Sequence, residues 1–218
     1  MEQNALPIRT RVKFCGITRI EDALYAANLG VDAIGLVFYE KSPRAVTIEQ
    51  ACAIAKQLPA FVTRVGLFVN AERSYIKEAA EKSQLDLLQF HGDESADECE
   101  YFDRPFIKAV RMREGLDLAQ ISDEYHQASG LLLDAYDKTM FGGTGKTFDW
   151  KMIPDQRTMP IILAGGISPD NVQQAINDVR PYAIDVSGGI EANKGIKDPR
   201  KMNAFMQEVT FTTGAKQK

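Results

Sequence analysis

Short apolar runs alternate with longer amphipathic stretches from one end of this chain to the other, and no single motif constrains its fold as tightly. Strand-like runs fall at 12–15, 33–38, 63–69, 85–90, 106–110, 130–134, 160–164 and 182–186. Between them lie helix-like segments at 20–28, 48–57, 71–82, 96–102, 116–126, 171–177 and 199–209. After the sixth run comes a Gly-rich stretch in which only 149–153 looks briefly helical. Runs such as Ile34-Gly35-Leu36-Val37-Phe38 are apolar on both faces, as in a parallel sheet covered on each side rather than one with a wet face.

Strands alternating with helices imply βαβ units and a parallel sheet. Eight such units in 218 residues match a minimal, eight-stranded parallel (β/α)8 barrel of the α/β class, with a doubly wound open sheet as the alternative. No linker divides the chain, so one domain over 1–218 is expected, its core at about 11–209 and its tail from about 210 frayed. Thr47 with Gln50, and Ser95 with Glu98, have the spacing of capping boxes. Pro169 stands where a first-turn proline is tolerated.

Composition narrows the function. At 44% hydrophobic and 26% charged the chain can bury one sizeable core. A formal net charge of −4, with basic residues scattered, argues against nucleic acid as a partner. Cys15, Cys52 and Cys99 lack C-x-x-C spacing, and with only His91 and His126 a zinc cluster is not expected. The first eleven residues hold no apolar signal region, and no run of about 18 apolar residues could span a bilayer. The expected setting is therefore a reducing, cytoplasmic one, with no metal and no obligate protein partner evident.

In a (β/α)8 barrel the chemistry sits at the C-terminal strand ends. Those ends supply Cys15, the loop 39–46, Asn70, His91, Arg111, Asp134, Gly165-Gly166 and 185–189. Gly165-Gly166 after the seventh strand and Gly188-Gly189 after the eighth suit backbone N–H binding of a phosphate between the last two loops; the alternative is a pair of tight turns. Arg44, stiffened by Pro43, suits bidentate recognition of a carboxylate, or is a solvated loop residue.

Asp134 ends an all-leucine run, where burial disfavours charge and suits a proton donor, unless loop N–H groups hold it as a capping carboxylate. Asp185 occupies the analogous place and reads as structural or as a hydroxyl contact. Cys15 is a base if dipoles or a cation lower its pKa, and Lys13, two residues away, shares its face of an alternating strand; otherwise it is a packed small hydrophobe, as Cys52 and Cys99 are expected to be. His91 either lines the site or is a hydrogen-bonded strand-end residue.

Gly142-Gly143-Thr144-Gly145-Lys146-Thr147 imitates a nucleotide loop and fails. Walker A needs a glycine where Met140 stands, and the dinucleotide fingerprint needs one where Phe148 stands. It reads as a flexible loop, suited to a lid.

Taken in order, Lys13-Phe14-Cys15-Gly16-Ile17, Lys41-Ser42-Pro43-Arg44, Gln89-Phe90-His91-Gly92, Leu133-Asp134 with 142–150, Ala164-Gly165-Gly166-Ile167 and Asp185-Val186-Ser187-Gly188-Gly189-Ile190-Glu191 resemble the phosphoribosylanthranilate isomerase family of tryptophan biosynthesis. The resemblance runs from about Lys13 to Val209. It implies a cofactor-free Amadori rearrangement of a small phosphorylated substrate, N-(5-phosphoribosyl)anthranilate. It makes Asp134 the general acid and Cys15 the general base, gives the anthranilate carboxylate to Arg44, and the phosphate to the two glycine loops. One departure is visible: the eighth loop of the family reads Ser-Ser-Gly, and this chain has Ser187-Gly188-Gly189.

Two other readings compete. A histidine-pathway aminoaldose isomerase would carry an aspartate where Cys15 stands. A non-catalytic phosphometabolite sensor would keep the glycine loops but lose the acid or the base, and this chain has both.

Overall fold

The computed structural model describes residues 9–135 and 148–214. Eight parallel strands close into a barrel in sequence order. They are β1 (Arg11–Cys15), β2 (Ala33–Val37), β3 (Thr63–Phe68), β4 (Leu87–Phe90), β5 (Phe106–Met112), β6 (Leu131–Ala135), β7 (Ile161–Leu163) and β8 (Ala183–Val186), with β8 paired back onto β1. Around them lie α1 (Ile20–Asn28), α2 (Ile48–Ala55), α3 (Arg73–Lys82), α4 (Ala96–Glu100), α5 (Leu118–Glu124), α6 (Val172–Val179) and α7 (Pro199–Gly214). All eight expected strands are present, with ends displaced by one or two residues, and the segment near 149–153 is a 3-10 turn, Trp150–Met152.

The two-residue period of each strand sorts its side chains into two layers. Val12, Phe14, Ile34, Leu36, Leu131, Leu133, Ile184 and Val186 pack into the large core shared with the helices. Their alternates Ile107, Ala109, Leu132, Ile162, Ala164 and Ala183 fill the barrel interior, and Cys15, Val37, Leu67 and Val69 form a small apolar group of their own. This is why runs apolar on both faces were required: each strand is covered twice. The same parity places Lys13, Cys15, Gln89, His91, Asp134 and Asp185 on the inner face.

Both capping boxes form: the Thr47 and Ser95 hydroxyls accept from the N–H of Gln50 and Glu98, whose side chains return to the caps. Pro169 lies in the turn before α6, which starts at Val172, so it precedes the helix rather than opening it. The expectation of fraying from residue 210 is corrected, since α7 runs to Gly214. Val209 and Thr212 are buried, which holds the last turns on the barrel, and the Thr210 and Thr212 hydroxyls donate within the helix to the carbonyls of Met206 and Glu208.

One element was not expected. Between a 3-10 turn at Gly188–Ile190 and α7, strands β9 (Glu191–Asn193) and β10 (Ile196–Lys197) form an antiparallel hairpin. The expected lid at 142–146 lies outside the described residues.

Candidate active site

A cleft of about 720 Å³, counting its open mouth, lies at the C-terminal ends of the strands. Cys15, Tyr39, Ser42, Arg44, His91, Asp134, Gly165, Gly166, Asp185, Ser187, Gly188 and Gly189 line it, so the strand-end residues converge as their positions require. Two do not. Asn70 is exposed, and its side chain accepts from the Asp93 N–H. Arg111 reaches out to Asp93 at 2.5 Å.

Cys15 stands at the end of β1 and is buried. Lys13, one pleat below it, donates to Asp185 Oδ1 at 2.7 Å, because β1 and β8 pair with Lys13 directly opposite Asp185. Asp185 is thus a structural partner, one of the two roles expected of it. Gly35 pairs with Cys15 on the other side; a Cβ there would meet Cys15 Sγ at 2.8 Å and Lys13 Nζ at 3.0 Å, so the missing side chain is what lets ammonium and thiol share the space. Burial pushes the Cys15 thiol above its ordinary value, Lys13 opposes that rise, Asp185 adds to it and Lys197 opposes it. The condition on which the sequence made Cys15 a base, a lowered thiol pKa, is thus opposed by burial and supported by the two lysines. Burial also acts against the Lys13 ammonium, yet Asp185 and Cys15 hold it above the usual lysine range.

Asp134 closes β6 with its carboxyl turned inward. Oδ1 accepts the Ala135 N–H at 2.8 Å, and Oδ2 lies 3.2 Å from His91 Nε2, close but without the direction of a hydrogen bond. One oxygen of Asp134 thus caps the amide that ends β6, and the other faces the cleft beside His91. Gln89, fully buried on β4, places its amide nitrogen 2.9 Å from His91 Nδ1. With that nitrogen donating, Nδ1 accepts and the neutral ring carries its proton on Nε2, facing Asp134.

Arg44 is buried, and its fork is partly occupied: Nε and Nη2 donate to the two carboxylate oxygens of Glu191 at 2.7 and 2.8 Å. Burial opposes the guanidinium charge, and Glu191 raises its pKa above the usual arginine range. The glycine loops are built for close approach. Gly165 has φ +80, and a Cβ there would meet the Ala135 N–H and Asp134 Oδ1; a Cβ on Gly189 would stand 2.1 Å from the Ile167 carbonyl. Asn171, ahead of α6, supports the first loop by donating to the Gly166 carbonyl and accepting from Ser168. Among the described residues the Ser187 hydroxyl, buried at the edge of the cleft, has no hydrogen-bond partner.

Sequence reasoning missed Gln89, Glu191 and Lys197. Gln89 was recoverable, since it shares the inner-face parity of His91; the other two lie in a polar stretch with no apolar period. Cys99 is fully buried, and burial lifts its thiol to about 12, in keeping with a packing role; Cys52 is partly buried.

A family model described as N-(5′-phosphoribosyl)anthranilate (PRA) isomerase matches residues 12–208. A protein of Nitrosococcus oceani named N-(5′-phosphoribosyl)anthranilate isomerase is 57% identical over 202 residues, covering 93% of this chain and 98% of that one. One of the same name from Pseudomonas fluorescens is 61% identical over 199 residues, covering 91% and 95%. Among solved structures, phosphoribosyl anthranilate isomerase from Thermotoga maritima superposes with a TM-score of 0.85 at 40% identity, covering 93% and 99%. A phosphoribosyl anthranilate isomerase in complex with reduced 1-(o-carboxyphenylamino)-1-deoxyribulose 5-phosphate gives 0.83 at 39%, with the same coverage.

Proposed function

The chain belongs to the N-(5′-phosphoribosyl)anthranilate isomerase family, and from that premise we propose how its own residues divide the work. The enzyme isomerises N-(5-phosphoribosyl)anthranilate to 1-(2-carboxyphenylamino)-1-deoxyribulose 5-phosphate, a step of tryptophan biosynthesis. Its ligand is a small phosphorylated molecule.

Asp134 gives its proton to the furanose ring oxygen. The C1′–O bond breaks, the anilino nitrogen supplies its lone pair, and a Schiff-base iminium forms. Cys15, as thiolate, removes the C2′ proton, and the electron pair moves through C1′ to nitrogen to give an enolamine. Loss of the enol proton and protonation of C1′ complete the ketone, with no atom gained or lost. An aldose-to-ketose shift needs one proton delivered to oxygen and one taken from carbon.

The single observation that carries this assignment is that Cys15, Asp134 and both glycine loops line one cleft. Burial works against the thiolate, and three cations favour it: Lys13 and Lys197 in the protein, and the substrate iminium at the step that needs a base. Arg44 takes the substrate carboxylate on the edge that Glu191 leaves open. Amides of the Gly165-Gly166 and Gly188-Gly189 loops hold the phosphate, with the buried Ser187 hydroxyl beside them. His91 contacts the sugar next to Asp134.

We read the barrel as one domain with its core at about 11–209, acting in the cytoplasm, with no nucleic acid, membrane or obligate protein partner. Among the described residues no helix is long and apolar enough to cross a membrane. The test is turnover of freshly made phosphoribosylanthranilate followed by fluorescence, with the histidine-pathway aminoaldose in parallel. Turnover of the first alone is expected. No turnover by folded protein would overturn the reading.

A further inference from the structure

We propose that the β9–β10 hairpin sets the carboxylate specificity of the site, with Glu191 the positioning residue for Arg44 and Lys197 the hub that fixes Glu191. This rests on the assignment of Arg44 to the substrate carboxylate.

Lys197 has no exposed side-chain surface. Its three ammonium hydrogens meet three acceptors: the Cys15 carbonyl at 2.6 Å, the Ser187 carbonyl at 3.1 Å and Glu191 Oε1 at 3.1 Å. One buried cation thus joins the end of β1 that bears the thiol, the loop after β8 and the carboxylate that grips Arg44. Glu191 Oε1 also accepts from Arg44 Nε and from the Gly195 N–H, while Oε2 takes Arg44 Nη2. Burial opposes the Glu191 charge, and Arg44 and Lys197 together hold its carboxyl below the usual range.

The hairpin is fixed in turn. The Lys197 N–H donates to Asp22 in α1, the Thr18 hydroxyl donates to the Gly195 carbonyl, and Gly195, at φ +80, packs under the Pro43 carbonyl next to Arg44. A buried cation–anion–cation row is seldom justified by stability, because apolar residues of the same volume do as well. Its use here is orientation. A carboxylate gripping Nε and Nη2 fixes the plane of a guanidinium and leaves the Nη1 edge for a second, planar carboxylate. An arginine without that brace sweeps the cleft mouth and loses its preference for one anion geometry.

The experiment compares N-(5-phosphoribosyl)anthranilate with its carboxylate-free counterpart N-(5-phosphoribosyl)aniline on wild type, Arg44→Met, Glu191→Gln and Glu191→Asp. Glu191→Gln is expected to raise KM for the anthranilate substrate roughly tenfold or more, with kcat changed less than about threefold, as loss of a fixed charge-assisted bond implies. With the aniline substrate its kcat/KM stays within about twofold of wild type. A role confined to stability lowers both substrates alike, and that result would overturn the proposal. If Arg44→Met itself fails to discriminate, the Arg44 assignment falls and takes the proposal with it. If Arg44→Met discriminates and Glu191→Gln does not, the hairpin alone is wrong. Should Glu191→Gln fail to fold, Glu191→Asp decides: it keeps the charge but is one methylene too short to hold the fork, and equal treatment of the two substrates would again refute the idea.

Discussion

Lys13 Nζ sits 2.7 Å from Asp185 Oδ1 across the β1–β8 seam, and the same ammonium is the leading force against the rise that burial imposes on the Cys15 thiol. The thiol proposed as the base is therefore tuned by the residue two positions before it and by a glycine, Gly35, on the next strand. The groups that set its charge are Lys13, Asp185 and Lys197.

The first prediction concerns that thiol. Without substrate it is expected to titrate above its ordinary value of 9.0, and Lys13→Met to move it further up. The 240 nm absorbance difference between each protein and its Cys15→Ser counterpart, taken across pH, isolates this one group from Cys52 and Cys99. The stability sign follows. The folded thiol holds its proton more tightly than the unfolded one, so its contribution is present below 9.0 and is lost as pH rises through the folded value. Wild type should then lose stability faster than Cys15→Ser above pH 9.0; a midpoint below 9.0 would contradict the site described here.

Cys15→Ser and Asp134→Asn are each expected to lower kcat by at least roughly 100-fold, the lower end of what a positioned acid or base contributes. Asp134→Asn keeps an oxygen for the Ala135 N–H, so folding is preserved and the loss reports chemistry. Near-wild-type turnover by purified Cys15→Ser would remove it from the role of base.

Much of this was legible in the sequence because a barrel strand must be apolar on both faces, and that leaves polar residues only where they do something. Asp134 after three leucines and His91 after Phe90 stood out for that reason. The hairpin did not, since Glu191 and Lys197 lie in a short polar stretch and find their meaning in partners far along the chain: Glu191 meets Arg44 147 positions away, and Lys197 meets the Cys15 carbonyl 182 away. Arg111 misled for the opposite reason. Its position at the end of β5 was right, but Asp93 on the neighbouring loop draws it away. The thiol's direction was also beyond reach, because burial and Asp185 raise it against Lys13 and Lys197, a balance that no spacing specifies.

The two glycines after β8 should behave differently. A Cβ at Gly189 would stand 2.1 Å from the Ile167 carbonyl, backbone that cannot yield without parting the two phosphate loops. Gly189→Ala is expected to raise KM about tenfold or more, the loss of one to two hydrogen bonds to the phosphate. Among the described residues a Cβ at Gly188 meets Arg44 Nη2 alone, at 3.3 Å, so the braced guanidinium need give only a few tenths of an ångström, and the glycine's φ is not positive. Gly188→Ser should therefore keep KM within about threefold. Titration with inorganic phosphate gives a second measure, and equal damage from both substitutions would show that the close approach is not what matters.

Gln89 makes the last case. Its amide nitrogen lies 2.9 Å from His91 Nδ1, and with that nitrogen donating the imidazole turns Nε2–H, not a lone pair, toward Asp134, 3.2 Å from Oδ2. A lone pair there would compete with the ring oxygen of the substrate for the proton that the proposed mechanism assigns to Asp134. Gln89→Glu reverses the pattern, because a carboxylate accepts from Nδ1–H and drives the proton off Nε2. Gln89→Leu merely releases the ring. The order of kcat is thus expected to be wild type, then Gln89→Leu, then Gln89→Glu, the last lower than wild type by roughly 10- to 100-fold, within what misdirecting one proton transfer removes. Nitrogen-15 shifts of His91 report the tautomer directly in each variant. If Gln89→Glu switches the tautomer while turnover stays at the wild-type level, the imidazole has no part in the proton transfer and Gln89 is packing alone.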